Sequence, residues 1–303
     1  MTGVKKNFLK LTLDKSHFIT ERTNPMNFKA IFLDLDGTLL NDDKCLPQIN
    51  IDALSQASEN GVKIIIATGR NYSGISNVAD KLPMIDYAIT SNGAAIYSVH
   101  DNTAIYQNYM SNSLVLKLTD MLDIDNIMFD LFIDGSAYME EKNVEFLKKL
   151  NVPQAIRDFI LSNRTIIPSV KQYLKDTGTD VEKITINFKP MDDGSLYLRN
   201  ETIDIISSTG LSCVSGGSGN VEVTLADATK GNAILHLCEL IDIPVSETVS
   251  FGDSENDIHM LQTTGKSVAM ENAPDNVKSI ASLITTTNNS GGVAHGLKLL
   301  GII

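Results

Sequence analysis

Two acidic clusters stand where an open α/β sheet could use them. Asp34-Leu35-Asp36-Gly37-Thr38 follows the apolar run Ala30-Ile31-Phe32-Leu33, and Gly252-Asp253-Ser254-Glu255-Asn256-Asp257 follows Val249-Ser250-Phe251. In such sheets the carboxyl ends of the strands form the binding crevice. Each cluster also has an ordinary structural reading, because Asp-Gly is a turn signal and an Asp before a helical pattern is a favoured cap. Three or four carboxylates at two strand ends of one sheet would repel one another, however. The usual remedy is a hard cation such as Mg²⁺, held by oxygen ligands, waters and a substrate phosphate.

Two further strand ends offer what a phosphate needs. Ala67-Thr68-Gly69-Arg70 supplies the Thr68 hydroxyl, a Gly69 that permits close backbone approach, and helix amides beyond. Lys230-Gly231-Asn232 puts an ammonium before the apolar helix 233–240, where the helix dipole disfavours it. That placement hints at another purpose, although a solvated surface lysine is the plain alternative.

The elements that must position these residues alternate. Strands are expected at 30–33, 62–66 and 87–90, and helices at 49–59 and 72–81. Continuous apolar strands between helices predict a parallel sheet covered on both faces. After about Ile96 the pattern changes to a helix near 114–121, strands near 127–133 and 136–140, and helices within 143–175. Lys183, Thr185 and Asn187 then alternate with Ile184, Ile186 and Phe188, as in a one-faced antiparallel strand. Ser215-Gly216-Gly217-Ser218-Gly219 marks a turn, after which 221–225, 248–251, 267–270 and 283–285 restore the first pattern. The middle is therefore an insertion. The expected division is a leader at 1–28, a core of 29–96 and 213–303, and an inserted α+β unit at 97–212.

Composition narrows the function. The 303 residues carry 37 acidic against 25 basic side chains, a formal net charge of −12, which argues against nucleic acid or an anionic membrane as partner. No run approaches a membrane span. Residues 1–25 are locally basic and read either as a weakly structured leader or as a small added strand and turn. Cys45, Cys213 and Cys238 show no paired or metal-binding spacing, which suits reduced thiols of a cytoplasmic protein. The five histidines are scattered. Nothing in the sequence reports the oligomeric state.

The four motifs, in this order, resemble the haloacid dehalogenase-like superfamily of phosphohydrolases, and within it the Cof-type sugar phosphatases. The likeness runs from about residue 29 to 300 and extends to Thr90-Ser91-Asn92-Gly93-Ala94 and Ser267-Val268-Ala269-Met270 with Asn272-Ala273. Glu271 stands where this family usually has Gly, and Ser290-Gly291 where an acidic residue is common.

The resemblance implies a Rossmann-like, doubly wound parallel core with an inserted α+β cap. It also implies Mg²⁺-dependent hydrolysis of small phosphomonoesters, sugar phosphates above all. Asp34 would be the nucleophile that forms an aspartyl phosphate, and Asp36 the general acid and base. Asp34, the backbone carbonyl of Asp36 and Asp253 would hold Mg²⁺, with Asp257 supporting them from behind. Thr68, Gly69, Lys230 and Asn256 would contact or orient the phosphoryl group, Thr68 and Lys230 sharing its charge in the transition state. The cap would close over the site and set selectivity. Two other functions fit the same core motifs: a sugar phosphomutase, and a signalling module that stores a phosphoaspartate.

Overall fold

The structure is a computed structural model and describes residues 28–150, 152–215 and 219–303. The expected leader, Phe28 aside, lies outside the described residues, as does the middle of the Gly-Ser turn. The strands are β1 (Ala30–Leu33), β2 (Lys63–Ala67), β3 (Ile85–Thr90), β4 (Ala95–Ser98), β5 (Thr103–Gln107), β6 (Met128–Ile133) and β7 (Ser136–Glu140). They continue as β8 (Thr165–Ile167), β9 (Lys183–Asn187), β10 (Leu211–Ser215), β11 (Val221–Leu225), β12 (Thr248–Gly252), β13 (Lys266–Ala269) and β14 (Leu283–Ile284). They form two sheets, β14-β13-β12-β1-β2-β3-β4-β5 and β10-β11-β9-β6-β7-β8.

The first sheet is parallel from β14 to β3, and β4 and β5 add to it antiparallel. Its strands read as unbroken apolar runs because helices cover both faces. Ile31 and Leu33 of β1 pack in one cluster with Leu54 of the helix Gln48–Glu59 and Leu297 of the helix Gly292–Leu299. Ala30 and Phe32 point the other way, into a cluster with Ile234 and Leu237 of the helix Lys230–Leu240. Each buried Leu, Ile or Phe contributes about 1.5–3 kcal/mol. Burial on both sides fixes β1 as an inner strand and its carboxyl end in the crevice.

The second sheet is one-faced. Phe129, Leu131, Ile184, Ile186, Val221 and Val223 fill its apolar cluster, with the helices Asn112–Met121 and Val170–Thr177 contributing Leu118 and Leu174. Their neighbours Asp130, Phe132, Lys183, Thr185 and Glu222 fall on the opposite face, as a period of two requires.

The expected division at 97–212 does not follow the sheets. β4 and β5 still belong to the core sheet, whereas β10 and β11 belong to the cap sheet. The chain leaves the core after Gln107 and returns after Leu225. β4 is wholly buried between β3 and β5. β11 alternates Val221, Val223 and Leu225 with Glu222 and Thr224 and pairs antiparallel with β9, the habit of a cap strand. The single helix expected over 72–81 is a 3₁₀ turn, Tyr72–Ile75, leading into one α-turn, Ser76–Ala79; Gly74 in its first turn weakens a regular helix. The edge strand β8 interrupts the expected run of helices within 143–175 and is too short to leave a periodic signal.

A buried carboxylate clasps cap to core. Glu182, just before β9, accepts hydrogen bonds from Ser91 Oγ at 2.8 Å, Tyr109 Oη at 3.3 Å and Tyr97 Oη at 3.4 Å. It also accepts from the Gly135 amide in the β6–β7 turn. Among the described residues, no helix is long and apolar enough to cross a membrane.

Candidate active site

Asp34 emerges from β1 and is 5% exposed. Its amide donates to Phe251 O of β12 at 3.1 Å, which ties it to the strand that carries the second acidic loop. Lys230 Nζ, 1% exposed at the first turn of its helix, donates to Asp34 Oδ1 at 2.6 Å and to Asp257 Oδ1 at 2.7 Å. This explains a lysine where the helix dipole disfavours one. Burial alone would lower the pKa of Lys230, but Asp257 and Asp34 override it and keep the ammonium charged.

Asp257 also shapes the second loop. Its Oδ2 accepts from the amides of Asp253 and Ser254, both at 3.0 Å. With Lys230 on Oδ1, both of its oxygens are engaged. Asp253 lies across from β1, where Thr38 Oγ1 donates to its Oδ1 at 2.8 Å. Gly37 permits that approach. Its φ is +90°, and a Cβ there would lie 2.3 Å from Asp253 Oδ2, so a side chain is excluded by both conformation and space. One carboxylate oxygen from each of Asp34, Asp253 and Asp257 lies within 4.8 Å of the other two. Burial, reinforced by Asp257, pushes Asp253 up to about 6. Asp34 is raised well above the usual carboxylate range, chiefly by burial; Lys230 opposes the rise, and Asp257 and Asp253 add to it.

Asp36 has different company. Arg70 grips it as a fork, Nε to Oδ2 and Nη2 to Oδ1, each at 2.7 Å, and Lys44 Nζ adds 2.8 Å. Burial would raise its pKa, but Arg70 and then Lys44 pull it down to about 2. The resting carboxyl is ionised, whereas the sequence reading requires a protonated acid at the first step.

Thr68 follows β2 directly, is 1% exposed, and accepts from the Arg70 amide at 3.1 Å, which leaves its own proton free for a ligand. Beyond it a polar relay crosses from cap to core. Lys183 Nζ donates to Gly69 O at 2.6 Å and to Glu222 Oε1 at 2.7 Å, and Glu222 Oε2 accepts from Asn92 Nδ2 at 2.6 Å. Asn92 Oδ1 in turn accepts from Asn256 Nδ2 at 3.1 Å. A Cβ on Gly69 would lie 2.8 Å from Asn92 Oδ1, so the glycine makes room for this crossing.

The carboxylates open onto a cavity of about 730 Å³ between the sheets, whose walls include Asp34, Asp36, Thr68, Gly69, Asp253 and Asn256. All the residues expected at the site thus come together. Lys230 sits behind Asp34 and is not among the described residues lining the cavity. Sequence reasoning assigned no role to Arg70, Lys44 or Asn92, or to the cap residues Asp130, Lys183 and Glu222. Arg70 had a signal, its place two residues after Thr68. The cap residues had only their period of two, which cannot say whether a polar face meets water or a cavity.

Comparison with known proteins agrees with this geometry. The profile of the haloacid dehalogenase-like hydrolases matches residues 31–297. The chain is 28% identical over 294 residues to the phosphatase YwpJ of Bacillus subtilis, covering 90% of this chain and 99% of the relative. It is 29% identical over 270 residues to the pyridoxal phosphate phosphatase YbhA of Escherichia coli, covering 89% and 97%. Among solved structures, the haloacid dehalogenase subclass IIB sugar phosphatase BT4131 superposes with a TM-score of 0.74 at 27% identity, covering 91% of this chain and all of that one. The chain belongs to the haloacid dehalogenase-like hydrolases and is an enzyme acting on phosphoric monoesters.

Proposed function

We propose that this enzyme is a Mg²⁺-dependent phosphatase of small phosphomonoesters, sugar phosphates foremost, that works through an aspartyl phosphate on Asp34. The observation that carries the reading is the buried Lys230 bridging Asp34 and Asp257, behind the cavity wall to which Asp34 and Asp253 belong. The relatives named above are phosphatases, one of pyridoxal phosphate and one of sugars.

The donor set fits a hard divalent cation. Asp257 is spent on Lys230 and on the loop amides, which leaves Asp34 and Asp253, with the backbone carbonyl of Asp36, as ligands. Bound there, Mg²⁺ would offset the repulsion between Asp34 and a phosphate dianion. Asp34 attacks phosphorus through the oxygen that Lys230 does not hold, the bond to the leaving oxygen breaks, and Asp36 gives that oxygen its proton. Water activated by Asp36 then splits the acyl phosphate. For Asp36 to carry a proton, the Arg70 fork must let go when substrate enters. Thr68 and the Gly69 backbone receive the phosphoryl oxygens, and Asn256, held through Asn92, orients them.

Two measurements test this. Mg²⁺ should raise the thermal midpoint relative to EDTA, by about 1–3 kcal/mol of linkage at saturating metal, and Asp253→Asn should remove most of that shift. An equal shift in the variant would overturn the metal assignment. Asp36→Asn should slow turnover most for aryl or alkyl phosphates with poor leaving groups; a uniform loss along the series would remove its acid role. A hexose phosphate that yields an isomer without free phosphate would mark a phosphomutase instead.

A further inference from the structure

The loop 68–70 is held by three successive carbonyls, and one of them is held from the cap. Thr68 O accepts from the Asn92 amide at 3.1 Å and Arg70 O from the Ser91 amide at 2.9 Å, both donors lying in the core's 3₁₀ turn Ser91–Gly93. Gly69 O, between them, accepts from Lys183 Nζ of β9 at 2.6 Å. The Gly69 amide itself donates to no acceptor among the described residues.

What Lys183 holds is passed on to Thr68. In a trans peptide the carbonyl and the following amide point in opposite directions. Fixing Gly69 O therefore fixes the Arg70 amide, which donates to Thr68 Oγ1 at 3.1 Å. That bond makes Thr68 Oγ1 an acceptor toward the loop and leaves its proton for a ligand in the cavity that Thr68 lines. Glu222 of β11 adds a second hold. Its Oε2 accepts from Asn92 Nδ2 at 2.6 Å, and the amide of the same Asn92 is the donor on Thr68 O. Two cap side chains thus converge on one hydroxyl of the core.

Lys183 also lines the cavity, so direct contact with the substrate is the competing role. Its surroundings argue against that role. An ammonium has three protons. Gly69 O takes one, Glu222 Oε1 takes another at 2.7 Å, and the Phe132 ring centre lies 4.6 Å from Nζ on a further side. Burying an ammonium to 2% exposure is costly, and the carboxylate and carbonyl offset that cost only in close, fixed geometry.

We propose that Lys183 and Glu222 are positioning residues for phosphoryl binding, which hold the loop 68–70 in shape from the cap. The cap then contributes to turnover of every phosphomonoester, whatever its leaving group. This role rests on the phosphatase reading above.

The test measures kcat, KM and inhibition by inorganic phosphate, with Mg²⁺ present, for p-nitrophenyl phosphate and for the best of a set of sugar monophosphates. In Lys183→Met, kcat/KM should fall about ten- to a hundredfold, by one factor for both substrates, and the inhibition constant of inorganic phosphate should rise about tenfold. A partly unfolded population lowers kcat alone and leaves KM and that constant in place. Thr68→Val removes the hydroxyl through which Lys183 acts. Combined with Lys183→Met, its loss should fall short of the product of the two single losses by at least about threefold. If Lys183→Met fails to fold, Lys183→Met with Glu222→Gln removes both partners and leaves no unpaired carboxylate, and the same uniform loss is expected. A loss confined to the sugar phosphate makes Lys183 a leaving-group contact and overturns the assignment. An unchanged kcat/KM, or single losses that simply multiply, overturns it too. If the unaltered enzyme releases phosphate from none of these compounds, the phosphatase reading falls, and the positioning role with it.

Discussion

Asp34→Asn is expected to abolish phosphate release from p-nitrophenyl phosphate, by at least about a thousandfold in kcat, while the protein stays folded. An amide cannot form the acyl phosphate, and no neighbour can replace it: Asp253 is held by Thr38 and Asp257 by Lys230 and the loop amides. The stability half of the prediction separates it from trivial misfolding. The surroundings of Asp34 disfavour its charge, through burial first and the nearby Asp257 and Asp253 next, with Lys230 as the opposing influence. An isosteric neutral side chain therefore costs little in metal-free buffer and should raise the thermal midpoint slightly, on the order of 1 kcal/mol. Lys230 keeps Asp257 as partner in the variant. Thermal unfolding with EDTA checks the stability, and phosphate assay with Mg²⁺ checks the chemistry. A folded variant with a substantial fraction of the original kcat would remove Asp34 from the nucleophile's place.

The second large effect is expected at Lys230. Lys230→Met keeps the volume but leaves Asp34 and Asp257 facing each other in the interior without their shared cation. Breaking a buried ion pair from one side costs roughly 3–5 kcal/mol. Activity should fall by about a hundredfold or more, because Asp34, the proposed nucleophile, loses the contact that fixes it. The pH dependence carries a sign. Asp34 binds its proton more tightly folded than unfolded, and loss of Lys230 strengthens that tendency. The deficit of the variant should be largest at neutral pH and shrink as the pH falls toward the unfolded carboxylate value of about 4. Asp257→Asn in the same chain should recover part of the stability but not the activity. A deficit that is flat with pH, or a double variant no more stable than the single one, would mean that Lys230 is not the counter-ion of these two carboxylates.

Much of this site was legible before any coordinates. Asp34, Thr68 and Asp253 each follow an apolar strand, and helix and strand periods told which runs were strands, so the crevice could be populated from spacing alone. The family likeness rests on the same positions. The domain borders were less legible. β5 and the end of β4 belong to the core sheet, and β11 and most of β10 to the cap sheet, the reverse of the expectation, since β4 and β11 are both short apolar-rich strands and sheet membership depends on hydrogen-bond partners distant in sequence.

The state of each side chain was less legible still. Lys230 read as an awkward lysine at a helix start, and only the meeting of β1, β12 and the helix Lys230–Leu240 supplies its two carboxylates. Asp36 read as a proton donor, yet Arg70, 34 positions along the chain, holds it ionised at rest. The polar stripe of β9 read as one face of a sheet, and the fold turned it toward the cavity.

What the sequence alone determined is the inventory: the strands, the order of the motifs, and the candidate groups at the strand ends, because these follow from local periodicity and from residue type. What only the tertiary structure decided is who faces whom. Charge state and hydrogen-bond partners depend on distances of a few ångströms between residues far apart in the chain, and electrostatic and hydrogen-bond energies are settled at that range.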